Sequence, residues 1–102
     1  MKIEMKCEKE KSVKEFENQL KNIDSLNYDK VNQDGFDGMQ CLYYFLSLSG
    51  GTVAIKAIAE IILRIIGKND VKSFKLNDFE LKGYSAKDIT KIIGAIEENK
   101  NK

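Results

Sequence analysis

The sequence predicts a small α+β protein with a mixed or antiparallel sheet of three to four strands. A long central apolar helix and further helices should pack mainly on one face of that sheet. Residues 2–7 alternate strictly between polar and apolar side chains, which is typical of a half-buried strand. Later segments show apolar residues at helical spacing. The 102 residues are enough for one domain, so we expect a single domain over 1–102 with a frayed polar tail from about residue 97 to 102.

A helix is expected to follow the first strand. Ser12 and Glu15 have the spacing of a capping box, in which two side chains satisfy free backbone N–H groups at a helix start. The helix over 12–23 then carries one apolar stripe, formed by Val13, Phe16, Leu20 and Ile23. A short second strand over 28–31 should come next, and a right-handed crossover should connect the two strands.

Residues 39–48 fit two patterns. As a strand, one face would carry Gln40, Leu42, Tyr44, Leu46 and Leu48. As a helix, the polar side chains form one stripe, made of Gln40, Tyr44 and Ser47. The helix separates polar from apolar residues better, and Asp37 is a good N-cap, so we favour a helix and keep the strand as the alternative. The segment 32–38, rich in Asn, Asp and Gly, should be a loop.

The segment 52–66 is the most apolar part of the chain and predicts the long central helix. Lys56, Glu60 and Arg64 are four residues apart, so they lie on one side of that helix. A membrane span needs about 20 predominantly apolar residues, and this shorter segment carries three charges. We therefore expect a helix buried on two or three sides and no membrane span.

Local signals define the last third of the chain. Asn77-Asp78 separates two strand-like segments, 71–76 and 79–81, and has the composition of a two-residue hairpin turn. Ser85 and Asp88 form a second capping box at the start of a terminal helix. The apolar stripe of this helix consists of Ile89, Ile92, Ile93 and Ile96.

Composition argues against several kinds of chemistry. The chain has no His, which is the commonest general base and metal ligand. Two separate cysteines, Cys7 and Cys41, are too few for a four-ligand zinc site. No Lys adjoins a hydroxyl after Gly50-Gly51, as a phosphate-binding P-loop requires. No Ser, Thr or Cys has a credible base partner. We therefore expect that the protein is not an enzyme and uses no cofactor.

Charge and termini indicate the class of partner and the compartment. The net charge is +1, and the basic residues are spread along the chain. Nucleic-acid binders concentrate positive charge on one face, so we expect no nucleic acid partner. The N-terminal residues lack the apolar segment of a signal peptide. Both cysteines lie among apolar neighbours, as buried thiols do in a reducing compartment, which predicts a cytoplasmic protein.

Two surfaces are candidates for binding. The apolar area of 52–66 and the aromatic cluster before it exceed what one small sheet needs to cover, which favours a protein partner or a homodimer. The candidate interface residues are Tyr43, Tyr44, Phe45, Ile58, Ile62 and Ile65. The free amides at a helix N-terminus can also hold an anion. The candidate residues for that weaker alternative are Gly50, Gly51 and Thr52.

The central block of the chain contains Gly38-Met39, Leu42 to Leu48, Ser49-Gly50-Gly51 and Ala54 to Arg64. This block and the order of elements resemble the effector-associated constant component family of bacterial conflict systems, and the resemblance covers most of the chain. It implies a small constant subunit, encoded beside variable effectors, that recruits or regulates them by protein contact without catalysis. The alternative is a small inhibitor, encoded by a phage or mobile element, that acts against host defence by protein binding.

Overall fold

The computed structural model describes residues 1–34, 38–49 and 51–100. In chain order the elements are β1 (Lys2–Cys7), α1 (Glu10–Lys21), β2 (Leu26–Asp34), β3 (Gln40–Leu48), α2 (Gly51–Ile66), β4 (Val71–Leu76), β5 (Phe79–Glu80) and α3 (Ala86–Lys100). The α+β class is confirmed. The described residues form five strands, one more than the upper limit we predicted, because Gln40–Leu48 is a strand rather than a helix.

The strands form one antiparallel sheet in the order β2-β3-β1-β4-β5. β1 lies at its centre and pairs with β3 and β4. β1 and β2 therefore run parallel with β3 between them, and β3 and β4 run parallel with β1 between them. The first six elements thus form two split βαβ units, as in the ferredoxin-like arrangement. This arrangement supports many unrelated functions, so it does not by itself indicate one.

The helix expected over 39–48 is a strand instead, and this prediction was wrong. β3 pairs with β1 on one side and with β2 on the other along its length. Its burial alternates accordingly, because Leu42, Tyr44 and Leu46 are buried while Phe45 is exposed. The polar stripe that favoured a helix was misleading, since the Tyr44 hydroxyl has a hydrogen-bond partner in the protein. Pairing with two distant strands outweighed local polarity.

α1 begins at Glu10 and does not use the predicted capping box. Its N-cap position is occupied by Lys9, whose side chain makes no capping hydrogen bond. The carboxylate of Asp70, just before β4, caps the helix instead: it accepts hydrogen bonds from the Lys9 backbone N–H at 3.3 Å and the Ser12 hydroxyl at 2.9 Å. Glu15 forms an ion pair with Lys68 at 2.6 Å. Both predicted capping side chains therefore contact a distant part of the chain.

α2 is the helix around which the other helices pack. It contacts α1, α3, β3 and β4, and these neighbours cover most of its wide apolar surface. Its buried side chains belong to one core cluster with residues of α1, α3 and one face of the sheet. The predicted polar stripe is confirmed, because Lys56, Glu60 and Arg64 are exposed. No helix of the described part of the chain is long and apolar enough to cross a membrane.

The C-terminal signals are confirmed. Asn77 and Asp78 have φ values of 46° and 76°, as the two central residues of a type I′ hairpin turn require. The Ser85 hydroxyl accepts a hydrogen bond from the Asp88 N–H at 3.2 Å and so caps α3. α3 continues to Lys100 and so includes the described part of the predicted polar tail. Residues 101 and 102, and 35–37 within the predicted loop, lie outside the described residues.

Candidate functional site

Four of the six predicted interface residues lie in the core, which corrects that prediction. Tyr44, Ile58, Ile62 and Ile65 are fully buried. The three isoleucines belong to the α2 surface that packs within the core cluster. A partner cannot reach them without unfolding the protein, since the sheet, α1 and α3 already supply the contacts that their apolar surface needs.

Tyr44 is part of a polar group at the boundary of the core. Its hydroxyl donates a hydrogen bond to Glu17 Oε2 at 3.1 Å, and the same oxygen accepts one from Lys30 Nζ at 2.8 Å. The rings of Phe16 and Tyr28 meet the Tyr44 ring edge-on, with centroids 5.1 and 5.9 Å away. Burial, and then the Glu17 carboxylate, raise the pKa of Tyr44. The phenol therefore stays neutral and acts as a hydrogen-bond donor that anchors β3 to α1.

The other two predicted interface residues lie on the opposite side of the sheet. We call this side, away from the core cluster, the open face. Strand register places these residues on it: Lys2, Glu4 and Lys6 of β1; Asn27, Asp29, Val31 and Gln33 of β2; Cys41, Tyr43, Phe45 and Ser47 of β3; Ser73 and Lys75 of β4; Glu80 of β5. Phe45 is 45% exposed and Val31 is 44% exposed, while Tyr43 is half-buried.

An apolar row crosses the open face between two strands. Val31 of β2 lies directly opposite Tyr43 of β3, and Phe45 follows on the same side of β3. On the other flank, Lys2 places its Nζ 5.3 Å from the centre of the Tyr43 ring, a distance at which a cation attracts an aromatic face. The Tyr43 hydroxyl lies 3.5 Å from Glu4 Oε1. These contacts position the ring and leave Phe45 and Val31 open to solvent.

Charges of both signs surround this row. On the described strands the open face carries Lys2, Lys6 and Lys75 together with Glu4, Asp29 and Glu80. Opposite signs also meet across strands, since Glu4 lies opposite Lys75. A phosphate backbone requires a surplus of positive charge, which this balanced face does not offer. An apolar centre within a polar rim is the usual composition of a protein interface.

Tyr43 also adjoins Cys41 on the open face. The Cys41 thiol, and after it the Glu4 carboxylate, raise the pKa of Tyr43, so the phenol remains uncharged at neutral pH. Cys7 lies on the other side of the sheet, which packs against the helices and which we call the covered side. Burial there, and then Asp70, raise the pKa of its thiol to about 11. A thiol that stays protonated is a poor nucleophile. The described residues contain no group of three or more His, Cys, Asp or Glu side chains placed to hold a metal ion.

The predicted anion site borders a cavity of about 470 Å³ between the start of α2 and the end of α3. Gly50 lies outside the described residues, while Gly51 begins α2 and Thr52 is exposed. The cavity is lined by Leu48, Ser49, Gly51, Thr52, Ile55, Gly94, Glu97 and Glu98. Two carboxylates therefore share a wall with the helix N-terminus, and their charge disfavours a phosphate or another anion.

Sequence reasoning named Tyr43 and Phe45 but missed Val31 and Lys2 as members of the same surface. The strand alternative for 39–48 held the necessary signal, because period-two alternation puts Tyr43 and Phe45 on one face. Val31 joins them only through the pairing of β2 with β3. Comparison with family models, with curated proteins and with solved structures found no match for this chain.

Proposed function

We propose that the protein is a non-enzymatic interaction subunit that binds another protein through the open face. The observation that carries the proposal is the row formed by Val31, Tyr43 and Phe45, which crosses two adjacent strands on the side of the sheet away from the core. A solvated face of an antiparallel sheet normally carries polar residues. Apolar side chains grouped at such a position favour a contact that removes them from water.

The surroundings of the row match a protein partner better than other ligands. The open face has no surplus of positive charge for a nucleic acid, and it is a surface without the enclosure of a small-molecule pocket. The mixed charges around Phe45, with Lys2 and Asp29 opposite it on the two neighbouring strands, can select a partner of complementary pattern. Aromatic residues at the centre of such a contact usually contribute most of the binding energy.

The biological setting is proposed from the sequence. The resemblance of Gly38-Met39 and Ser49-Gly50-Gly51 to the effector-associated constant component family supports a role in a bacterial defence or conflict system. In that setting the partners are effector or defence proteins encoded nearby. We propose accordingly that this chain recruits or regulates such a protein by contact, and that the chemistry belongs to the partner.

The test is binding to the purified products of neighbouring genes, measured by calorimetry with the wild-type chain and two variants. Phe45→Lys places a charge within the row, and we expect it to weaken binding by about tenfold or more. Val53→Lys is the matched control, because Val53 is 80% exposed on α2, outside the open face, and should leave affinity unchanged.

Two outcomes would contradict the proposal. One is that no neighbouring product binds the wild-type chain. The other is that a product binds Phe45→Lys as tightly as the wild type, which would place the contact elsewhere. Circular dichroism of both variants establishes that a loss of binding does not reflect unfolding.

A further inference from the structure

β2 is a long edge strand whose outer side is free in the described part of the chain. It extends over Leu26–Asp34 and lies at the end of the strand order, where it pairs with β3. The side chains of 29–33 are all exposed. The strand at the opposite edge, β5, has only two residues. Outward N–H and C=O groups on a long edge strand can pair with another strand.

The features that usually prevent an edge strand from pairing with another chain are weak or missing in β2. Its register with β3 continues from Leu26 to Asp34 without a bulge, and the chain contains no Pro. Lys30, its only cation, extends to Glu17 on α1 at 2.8 Å and is thereby held on the covered side. Charged edges, bulges and prolines are the common means of preventing edge-to-edge pairing.

We propose that two copies of this chain associate through β2, with antiparallel strands and Val31 on the two-fold axis, to form one continuous sheet. A two-fold axis perpendicular to a sheet pairs each residue with a residue of the second copy whose side chain points to the same face. Because side chains alternate between the faces along a strand, the residue numbers of such a pair are both odd or both even, and their sum is even. Each such register therefore places one residue opposite its own copy.

The charges of β2 select among these registers. An axis at Asp29 or at Lys30 would set like charges directly opposite each other, which is destabilising. An axis at Val31 sets Lys30 opposite Asn32 and Asp29 opposite Gln33, so no like charges meet. An axis at Asn32 also avoids the clash, but it shortens the overlap of the two strands. The Val31 register therefore combines long pairing with compatible side chains.

The same register also removes exposed apolar surface from water. Val31 is 44% exposed, and on the axis it would contact the Val31 of a second copy, a pairing of β-branched residues that favours sheet formation. Because Val31 lies opposite Tyr43, the apolar row of one copy would continue into that of the other. The edge contact does not depend on the proposed open-face binding, since it uses the backbone of β2 and leaves Phe45 free.

Sedimentation velocity over a wide range of protein concentrations tests the association. We expect the wild-type chain to form dimers, and Val31→Lys to raise the dissociation constant by about tenfold, because it sets two cations opposite each other. Phe45→Lys is the matched control and should dimerise like the wild type. A wild-type chain that stays monomeric overturns the inference, and so does a dimer that is lost in Phe45→Lys but retained in Val31→Lys.

Crosslinking tests the register itself. In a Cys41→Ser background, Val31→Cys puts a thiol opposite its own copy, and a short bismaleimide should link two chains in high yield. Asn27→Cys in the same background is the control, because in this register residue 27 lies far from its own copy and should yield little linked dimer. Equal crosslinking of the two variants, or preferential crosslinking of Asn27→Cys, overturns the Val31 register.

Discussion

Tyr43 and Tyr44 are neighbours in β3, yet they belong to sides of the sheet with different roles. Tyr44 is fully buried, packs against Phe16 and Tyr28, and donates a hydrogen bond from its hydroxyl to the carboxylate of Glu17. Tyr43 lies on the open face, where its ring contacts Lys2 through a cation–π interaction. The covered side therefore accounts for stability, and the open side carries the surface that we propose for binding.

This difference shows how one strand separates core packing from a solvent-facing surface within a single residue step. Successive side chains of a strand point to opposite faces, so a substitution in β3 should affect either folding or binding according to its position. The helices cover only one of these faces, because the core cluster combines their buried residues with Leu42, Tyr44 and Leu46. Four substitutions, two of them paired with a matched control at Tyr43, examine the division.

The largest expected effect is that of Tyr44→Ala. Removal of a large buried aromatic side chain should lower the free energy of unfolding by about 3–5 kcal/mol, because it leaves a cavity between Phe16 and Tyr28. Tyr43→Ala, its matched control, should cost less than about 1 kcal/mol. Urea denaturation measures both values. Equal losses for the two variants would contradict the assignment of the two faces.

Asp70→Ala should have the next largest effect, because Asp70 holds the start of α1 on the covered side. Loss of a capping side chain costs about 0.5–2 kcal/mol. Although burial opposes ionisation, the hydrogen bonds from Ser12 and Lys9 lower the pKa of Asp70. A lowered folded-state pKa adds stability that is present above the unfolded-state value and is lost as pH falls through the folded-state value.

The pH dependence provides the control for Asp70. Thermal unfolding of the wild type and of Asp70→Ala should differ at neutral pH, and the difference should diminish in acid as the carboxylate becomes protonated. A difference in thermal stability between the two proteins that is equally large at neutral and at acid pH would show that Asp70→Ala acts through packing rather than through the ionised carboxylate.

Tyr44→Phe tests the hydrogen bond within the same buried group. It keeps the ring and removes the hydroxyl that contacts Glu17, so it should lower the free energy of unfolding by about 1 kcal/mol. Tyr43→Phe should have almost no effect, since the distance of 3.5 Å to Glu4 indicates a weak interaction. Chemical denaturation measures the free energy of unfolding of both variants. A larger loss for Tyr43→Phe than for Tyr44→Phe would contradict the assignment of the stabilising hydrogen bond to Tyr44.

Apart from the Tyr43 controls, the smallest expected effect on stability is that of Phe45→Lys. Phe45 is 45% exposed on the open face, and substitutions on such surfaces usually change stability by about 0.5 kcal/mol or less. The melting temperature should therefore remain near that of the wild type, although binding to a protein partner should be weakened by about tenfold or more. A strongly destabilised Phe45→Lys would show that this side chain contributes to folding as well.

Elements with local signals were predictable from the sequence. Alternation defined β1, the stripe of Val13, Phe16 and Leu20 defined α1, and Asn77-Asp78 defined the hairpin between β4 and β5. Ser85 and Asp88 likewise mark the start of α3. In each case the determining interactions connect residues that are close in sequence, so composition and spacing contain the information.

The identity of β3, the cap of α1 and the membership of the open face depended on tertiary structure. Residues 39–48 satisfy both periodicities, and pairing with β1 and β2 decides between them. Lys9 and Asp70 are 61 positions apart, so no local pattern could reveal their contact. Local hydrogen bonding and sterics thus determined where helices and turns begin. Burial against distant segments decided which of Tyr43 and Tyr44 faces solvent, because only strand pairing establishes which side of β3 the helices cover.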